Sequence, residues 1–252
     1  MIPLWLQAAL WGLLAGSALL LGAAAGYFLR VPPRLIAAIM AFGSGVLISA
    51  LAFELMDDAY RRAGFGAAAL GFLAGALLFT TANWMLERRG ARHRKRSAAS
   101  AADPKRLEGG SLPIAVGALI DGVPESIAIG TSMLAGGKVG LVTVAAIFIS
   151  NVPEGLSSAA GMRLARRPLR YVFGVWGAVA LLTALGAWVG YAFFGQFSDT
   201  ATAAATAVAA GAILAMLVDT MIPEAFETAH SLAGLVTALG FLLSFMLSKL
   251  AG

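Results

Sequence analysis

The chain has 252 residues, 60% of them hydrophobic and 12% charged, with a formal net charge of +5. Its mean hydropathy is +0.84, whereas a soluble domain is roughly half apolar and about a quarter charged, so the balance is that of a bilayer protein. The absence of cysteine excludes disulfides, thiolate metal ligation and thiol catalysis, and basic residues lying almost wholly in short loops between apolar runs argue against nucleic acid as a partner.

A membrane-spanning helix needs about 20 apolar residues. Runs of that length cover 4–29, 33–56, 65–86, 111–134, 139–162, 170–194, 201–226 and 231–250. They predict eight transmembrane helices in a single domain, 1–252. The first run lacks a basic leader and reads as a retained helix rather than a signal peptide. Small residues recur at close-packing spacing, as in Gly12-Leu-Leu-Ala-Gly16 and Gly71-Phe-Leu-Ala-Gly75. The alternation of a β-barrel is missing, so the fold class is all-α. The second span holds Glu54 near its end and is followed by Asp57 and Asp58, which either gather cations at a pore mouth or merely flank the membrane. After the third span, 87–110 is rich in charge with an Ala/Ser run and one histidine, His93; this composition predicts a disordered, orientation-setting loop.

The fourth span carries Asp121-Gly-Val-Pro-Glu125-Ser126 and the fifth Ser150-Asn-Val-Pro-Glu154-Gly155; the seventh holds Asp219 and Met221-Ile-Pro-Glu224. His230 beyond it reads as interfacial. The loops 30–34, 87–110 and 163–170 contain 14 of the 18 Lys and Arg residues. The positive-inside rule makes these loops cytoplasmic and puts both termini outside, in a plasma (inner) membrane.

A charge at mid-bilayer costs at least ~2.5–3.5 kcal/mol and normally faces a cavity or a partner. Glu54, Asp121, Glu125, Glu154, Asp219 and Glu224 fall inside spans with no Lys or Arg beside them, so they must protonate or bind a cation. Asp121 and Glu125 are spaced i,i+4, as are Ser150 and Glu154, and each pair shares one helical face. A proline in a helix interior frees the carbonyl four residues earlier: Pro124 frees that of Ile120, and Pro153 that of Ile149. Carboxylates, the Asn151 amide, the Ser150 hydroxyl and freed carbonyls make an oxygen-rich cage suited to a divalent cation. Glu54, Asp57, Asp58, Asp219 and Glu224 are candidate pathway residues.

At these motifs the sequence resembles the ZIP (Zrt/Irt-like) family of metal transporters. That family carries a His-Asn-x-Pro-Glu-Gly pattern in its fourth helix and a similar one in its fifth. The Ala41-Phe-Gly-Ser-Gly-Val46 segment and Ile222-Pro-Glu224 look like further family signatures, and the resemblance covers essentially the whole chain. It implies a helix arrangement in which the first three spans mirror the last three around the fourth and fifth (3+2+3), and uptake of zinc, iron or manganese towards the cytoplasm. Carried over by position, Asp121 stands where the family has its metal-binding histidine, Glu125 and Glu154 at its bridging glutamates, Gly122 at its asparagine, and Thr183 at its sixth-helix glutamate. Loss of the imidazole leaves a harder, all-oxygen set. A single site made by Asp121, Glu125 and Glu154, assisted by Ser150 and Asn151, is therefore expected.

The expected activity is alternating access without covalent chemistry: a transporter rather than an enzyme, with no cofactor beyond the transported ion. Its expected partners are membrane lipid, the metal and a second copy in a homodimer. Ligand carboxylates must be deprotonated to bind, so transport falls as pH drops. The alternatives are a degenerate or proton-coupled relative with a different substrate, or a metal-dependent intramembrane hydrolase.

Overall fold

Residues 2–88, 112–135 and 139–251 are described by a computed structural model. The loop expected to be disordered, with His93, lies almost wholly outside the described residues. Within them, all regular structure is helical. The elements are α1 Leu4–Phe28, α2 Pro33–Ala50, α3 Asp57–Leu86, α4 Leu112–Ser132, α5 Leu141–Leu164, α6 Leu169–Phe194, α7 Asp199–Met216, α8 Ile222–Ala229 and α9 Ser231–Ala251. A π-helical turn, Leu51–Met56, links α2 to α3, and another, Leu217–Met221, links α7 to α8.

Six helical stretches are long and apolar enough to cross a membrane: Leu4–Phe28, Pro33–Leu86, Leu141–Leu164, Leu169–Phe194, Asp199–Ala229 and Ser231–Leu250. The second has 54 residues. As one straight helix it would be about 80 Å long at 1.5 Å per residue, over twice the ~30 Å hydrocarbon core. It breaks at Gly64, whose φ of 74° and ψ of 172° only glycine adopts readily. Helix thus continues through 57–63, where the sequence suggested a connection. No Gly or Pro interrupts that segment, and Asp57–Arg61 (2.8 Å) and Asp58–Arg62 (3.0 Å) pair at i,i+4.

The stretches from Pro33 and from Asp199 match element for element. Each opens with an 18-residue α-helix and continues through a π-turn into more helix. Each ends at a residue of positive φ, Gly64 (74°) or His230 (46°). Asp58 corresponds to Glu224, Tyr60 to Phe226 and Gly45 to Gly211. The π-turn of the second stretch has a local cause. Pro223 offers no N–H to the Asp219 carbonyl, and the Ile222 N–H bonds instead to Leu217 O, five residues back.

α1 packs against α5 and α6, α2 against α5 and α9, α3 against α7, and α4 against α6 and α7. The joints are made by small residues. A Cβ at Gly22 or Gly26 would collide with the carbonyls of Val152 or Leu156 on α5, one at Gly155 with Leu19 O, and one at Gly130 with Ala187 O on α6. Close backbone approach of this kind is how helices associate in lipid, where burial of apolar surface supplies no drive. Many large apolar side chains point outward, including Leu70, Leu73 and Leu77 on α3 and Leu235, Leu239 and Leu242 on α9.

Polar contacts fix which ends lie together. Arg163 Nη1 donates to Tyr27 O (3.0 Å) and Leu29 O (2.7 Å), so the α1–α2 and α5–α6 connections share one end. Arg62 reaches Asp199, and Ser248 Oγ donates to Glu54 Oε1 (2.6 Å). The α2–α3 junction, the start of α7 and the last turns of α9 therefore share the other end.

Candidate functional site: buried polar faces of α4 and α5

Asp121 and Glu125 lie near the middle of α4, 1% and 2% exposed, while Val123 between them is 52% exposed on the opposite face. The i,i+4 spacing turns both acids inward together, as expected. Pro124 sits within the helix, which continues through it. Gly122 faces α6: a Cβ there would lie 3.8 Å from Thr183 Oγ1. Thr183 is buried and donates to Val179 O (3.0 Å), so α6 offers a hydroxyl at this level.

On α5, Ser150, Asn151 and Glu154 are all buried, and Ser157 and Ser158 extend the same polar stripe. Ser150 Oγ donates to Ile147 O (2.9 Å), which spends its proton and leaves oxygen lone pairs. Asn151 Nδ2 donates to Ala15 O on α1 (3.1 Å). Because that partner is a carbonyl, only the NH2 of the amide can serve it. The Oδ1 acceptor is thereby directed away from α1.

The stripe continues from Glu154 to Ser157, whose hydroxyl donates to Glu224 Oε1 (2.6 Å). Glu224 is 6% exposed, so it belongs to the interior rather than to a solvated headgroup layer. The other candidates are placed differently. Asp219 and Glu227 are exposed, as is His230, which meets Phe226 edge-on at 6.3 Å. Glu54 is half-buried on its π-turn beside Ser248. Asp57 and Asp58 are engaged by Arg61 and Arg62.

Sequence reasoning passed over two of these polar partners. Ser157 stands three residues after Glu154 and seven after Ser150, so extending the helical face by one turn would have found it. Ser248 had no such signal, since its contact with Glu54 joins residues 194 apart.

Buried carboxylates need polar compensation, and neither 112–132 nor 141–162 contains a Lys or Arg to give it by charge. Among the described residues, no three His, Asp or Glu side chains lie close enough together to hold a metal ion. α4 and α5 themselves touch over only a short stretch. Asp121, Glu125 and Glu154 are each brought inside. The interior can receive a cation on oxygen donors from two helices, or hold and pass protons along them. No known protein family and no curated protein matches the chain.

Proposed function

We propose that the protein is a secondary transporter of divalent transition-metal cations of the ZIP type, moving zinc, iron or manganese into the cytoplasm by alternating access. The observation that carries this reading is the burial of Asp121, Glu125 and Glu154, 1%, 2% and 6% exposed, in stretches of α4 and α5 (112–132 and 141–162) that contain no basic residue. A carboxylate so placed is costly and is retained for an ion pathway. Ser150 and Asn151 Oδ1 add neutral oxygens, and the Ser157–Glu224 contact continues the polar route towards one end.

An eight-span layout agrees with Pro33–Leu86 counting as two spans divided at Gly64 and with α4 completing the set. The packing supports an inverted 3+2+3 repeat. Exchanging α1 with α6, α2 with α7, α3 with α9 and α4 with α5 converts the α1–α5 contact into α6–α4, α2–α5 into α7–α4, and α3–α7 into α9–α2, and every one of these contacts is present. The glycine joints follow the same exchange. Gly45 against Thr237 is matched by Gly211 against Phe72, and Gly75 against Val208 by Gly240 against Phe42. Transporters built this way bind substrate near the midplane between the repeats. With the basic loops cytoplasmic, the Glu224 end faces the cytoplasm and the Asp58 end the outside.

The test is uptake of zinc, iron, manganese and cadmium into proteoliposomes, with Glu125→Ala and Glu154→Ala beside the parent protein. Loss of flux in both variants is expected; unchanged flux for every metal in both would overturn the site. Because a buried carboxylate can also carry a proton, the second reading is a proton-coupled relative with a different substrate. Proton flux that persists with no metal bound or moved would select it.

A further inference from the structure

We infer that Arg62 is an electrostatic latch that closes the Asp58 end of the bundle. Its side chain is only 13% exposed. Nε donates to Asp199 Oδ1 (3.0 Å), Nη2 reaches the same oxygen, and Nη1 donates to Asp58 Oδ2 (3.0 Å). One guanidinium therefore ties the first turns of α3 to the first turn of α7, elements 137 residues apart. Its fork satisfies two carboxylates at once, which a point charge does less well. Asp199 follows the N-cap Ser198, whose hydroxyl accepts from Ala201 N (3.3 Å). The acid so stands where a helix start favours negative charge. Its side chain is 70% exposed, so this arm of the latch is the one that water and salt can loosen.

The matched stretches show what is unequal. Where the first has Asp58 and Arg62, the second has Glu224 and Thr228, and the position of Asp199 is taken in the first by Pro33. Glu224 accepts from the Ser157 hydroxyl on α5. If the bundle opens and closes at this end during transport, an ion bridge made only in the closed state lowers the free energy of that state relative to the open one. Arg62 biases the protein towards the state closed at the Asp58 end. The latch rests on the alternating-access reading for its purpose, not for its geometry.

Thr202 supplies the reporter. It is 3% exposed, one turn beyond Asp199, and its hydroxyl bonds to Phe194 O and Ser198 O. The chain has no cysteine, so Thr202→Cys gives a single thiol whose rate of modification by a bulky maleimide is measured in lipid nanodiscs. Arg62→Gln and Asp199→Asn are each expected to raise that rate about tenfold. Going from 0.1 M to 1 M salt shortens the screening length from about 10 Å to about 3 Å and should speed labelling of the Arg62 protein but not of Arg62→Gln. The exchanged pair Arg62→Asp with Asp199→Arg should return labelling towards the slow parent rate. Ala159→Cys, fully buried on α5, must stay unlabelled in every variant. If Arg62→Gln exposes it, the variant is unfolded and Asp199→Asn, which leaves Arg62 on Asp58, decides. Parent-like labelling in the folded variants, or fast labelling in the exchanged pair, overturns the latch. The measurement needs no metal and no uptake, so a failure of the transport reading would leave it standing, and the reverse.

Discussion

Glu125 and Glu154 occupy comparable positions on different helices, each an acid that follows a proline and is turned inward by the helical period. Replacing either with Gln keeps shape and hydrogen bonding but removes the charge a cation needs. Uptake should fall by more than about tenfold, in keeping with the 10–100-fold effects of disturbing metal-site ligation, while the elution profile of the purified protein stays unchanged. Asp121 tests selectivity. Asp121→His introduces an imidazole that suits zinc better than a carboxylate does, so the ratio of zinc to manganese uptake should rise, and an unaltered ratio would mean that this position does not set the metal preference. His230 is the opposite kind of residue: exposed, edge-on to Phe226, and held at φ 46° with ψ −123°. A side chain in that region costs roughly 1–2 kcal/mol that glycine avoids. His230→Gly should therefore raise the thermal unfolding midpoint and leave metal uptake as it was; lost uptake would mean that the ring has a part in transport.

At the scale of the element, glycine decides where helices meet. On α5, Gly155 lies against the Leu19 backbone of α1, whereas Gly161 six residues on has nothing within 4 Å. Gly155→Val should force the α1–α5 joint apart at a cost of about 1–3 kcal/mol, and Gly161→Ala should be neutral or stabilising by up to about 1 kcal/mol through helix propensity. Thermal unfolding of the two variants side by side checks the contrast; equal losses would mean that the glycine contacts do not hold the bundle. The π-turns belong to the same scale. Each lets the helical register slip partway along a span, and each carries an acid, Glu54 or Asp219.

For the whole molecule, the exchange of halves makes a testable demand. Gly45 and Gly211 are corresponding residues at corresponding joints, one against Thr237 on α9 and the other against Phe72 on α3. Gly45→Leu and Gly211→Leu should lower stability by similar amounts, each about 1–3 kcal/mol of overpacking. A severe loss in one with none in the other would count against equivalent halves.

The sequence by itself determined that the chain is helical and suited to a membrane, because hydropathy over about 20 residues reports directly on lipid. It also determined that Asp121, Glu125, Ser150, Asn151 and Glu154 turn inward, because spacing at i,i+4 is a local property of a helix. Only the tertiary structure decided the rest. Burial of Glu224 depends on Ser157 from a different helix, the aim of Asn151 Oδ1 depends on Ala15 O, and Arg62 takes its meaning from Asp199. The π-turns and the matching breaks at Gly64 and His230 depend on backbone geometry that apolar runs do not encode. Contacts between distant residues carry no periodicity along the chain, whereas the inward turn of these residues follows from the helical period alone.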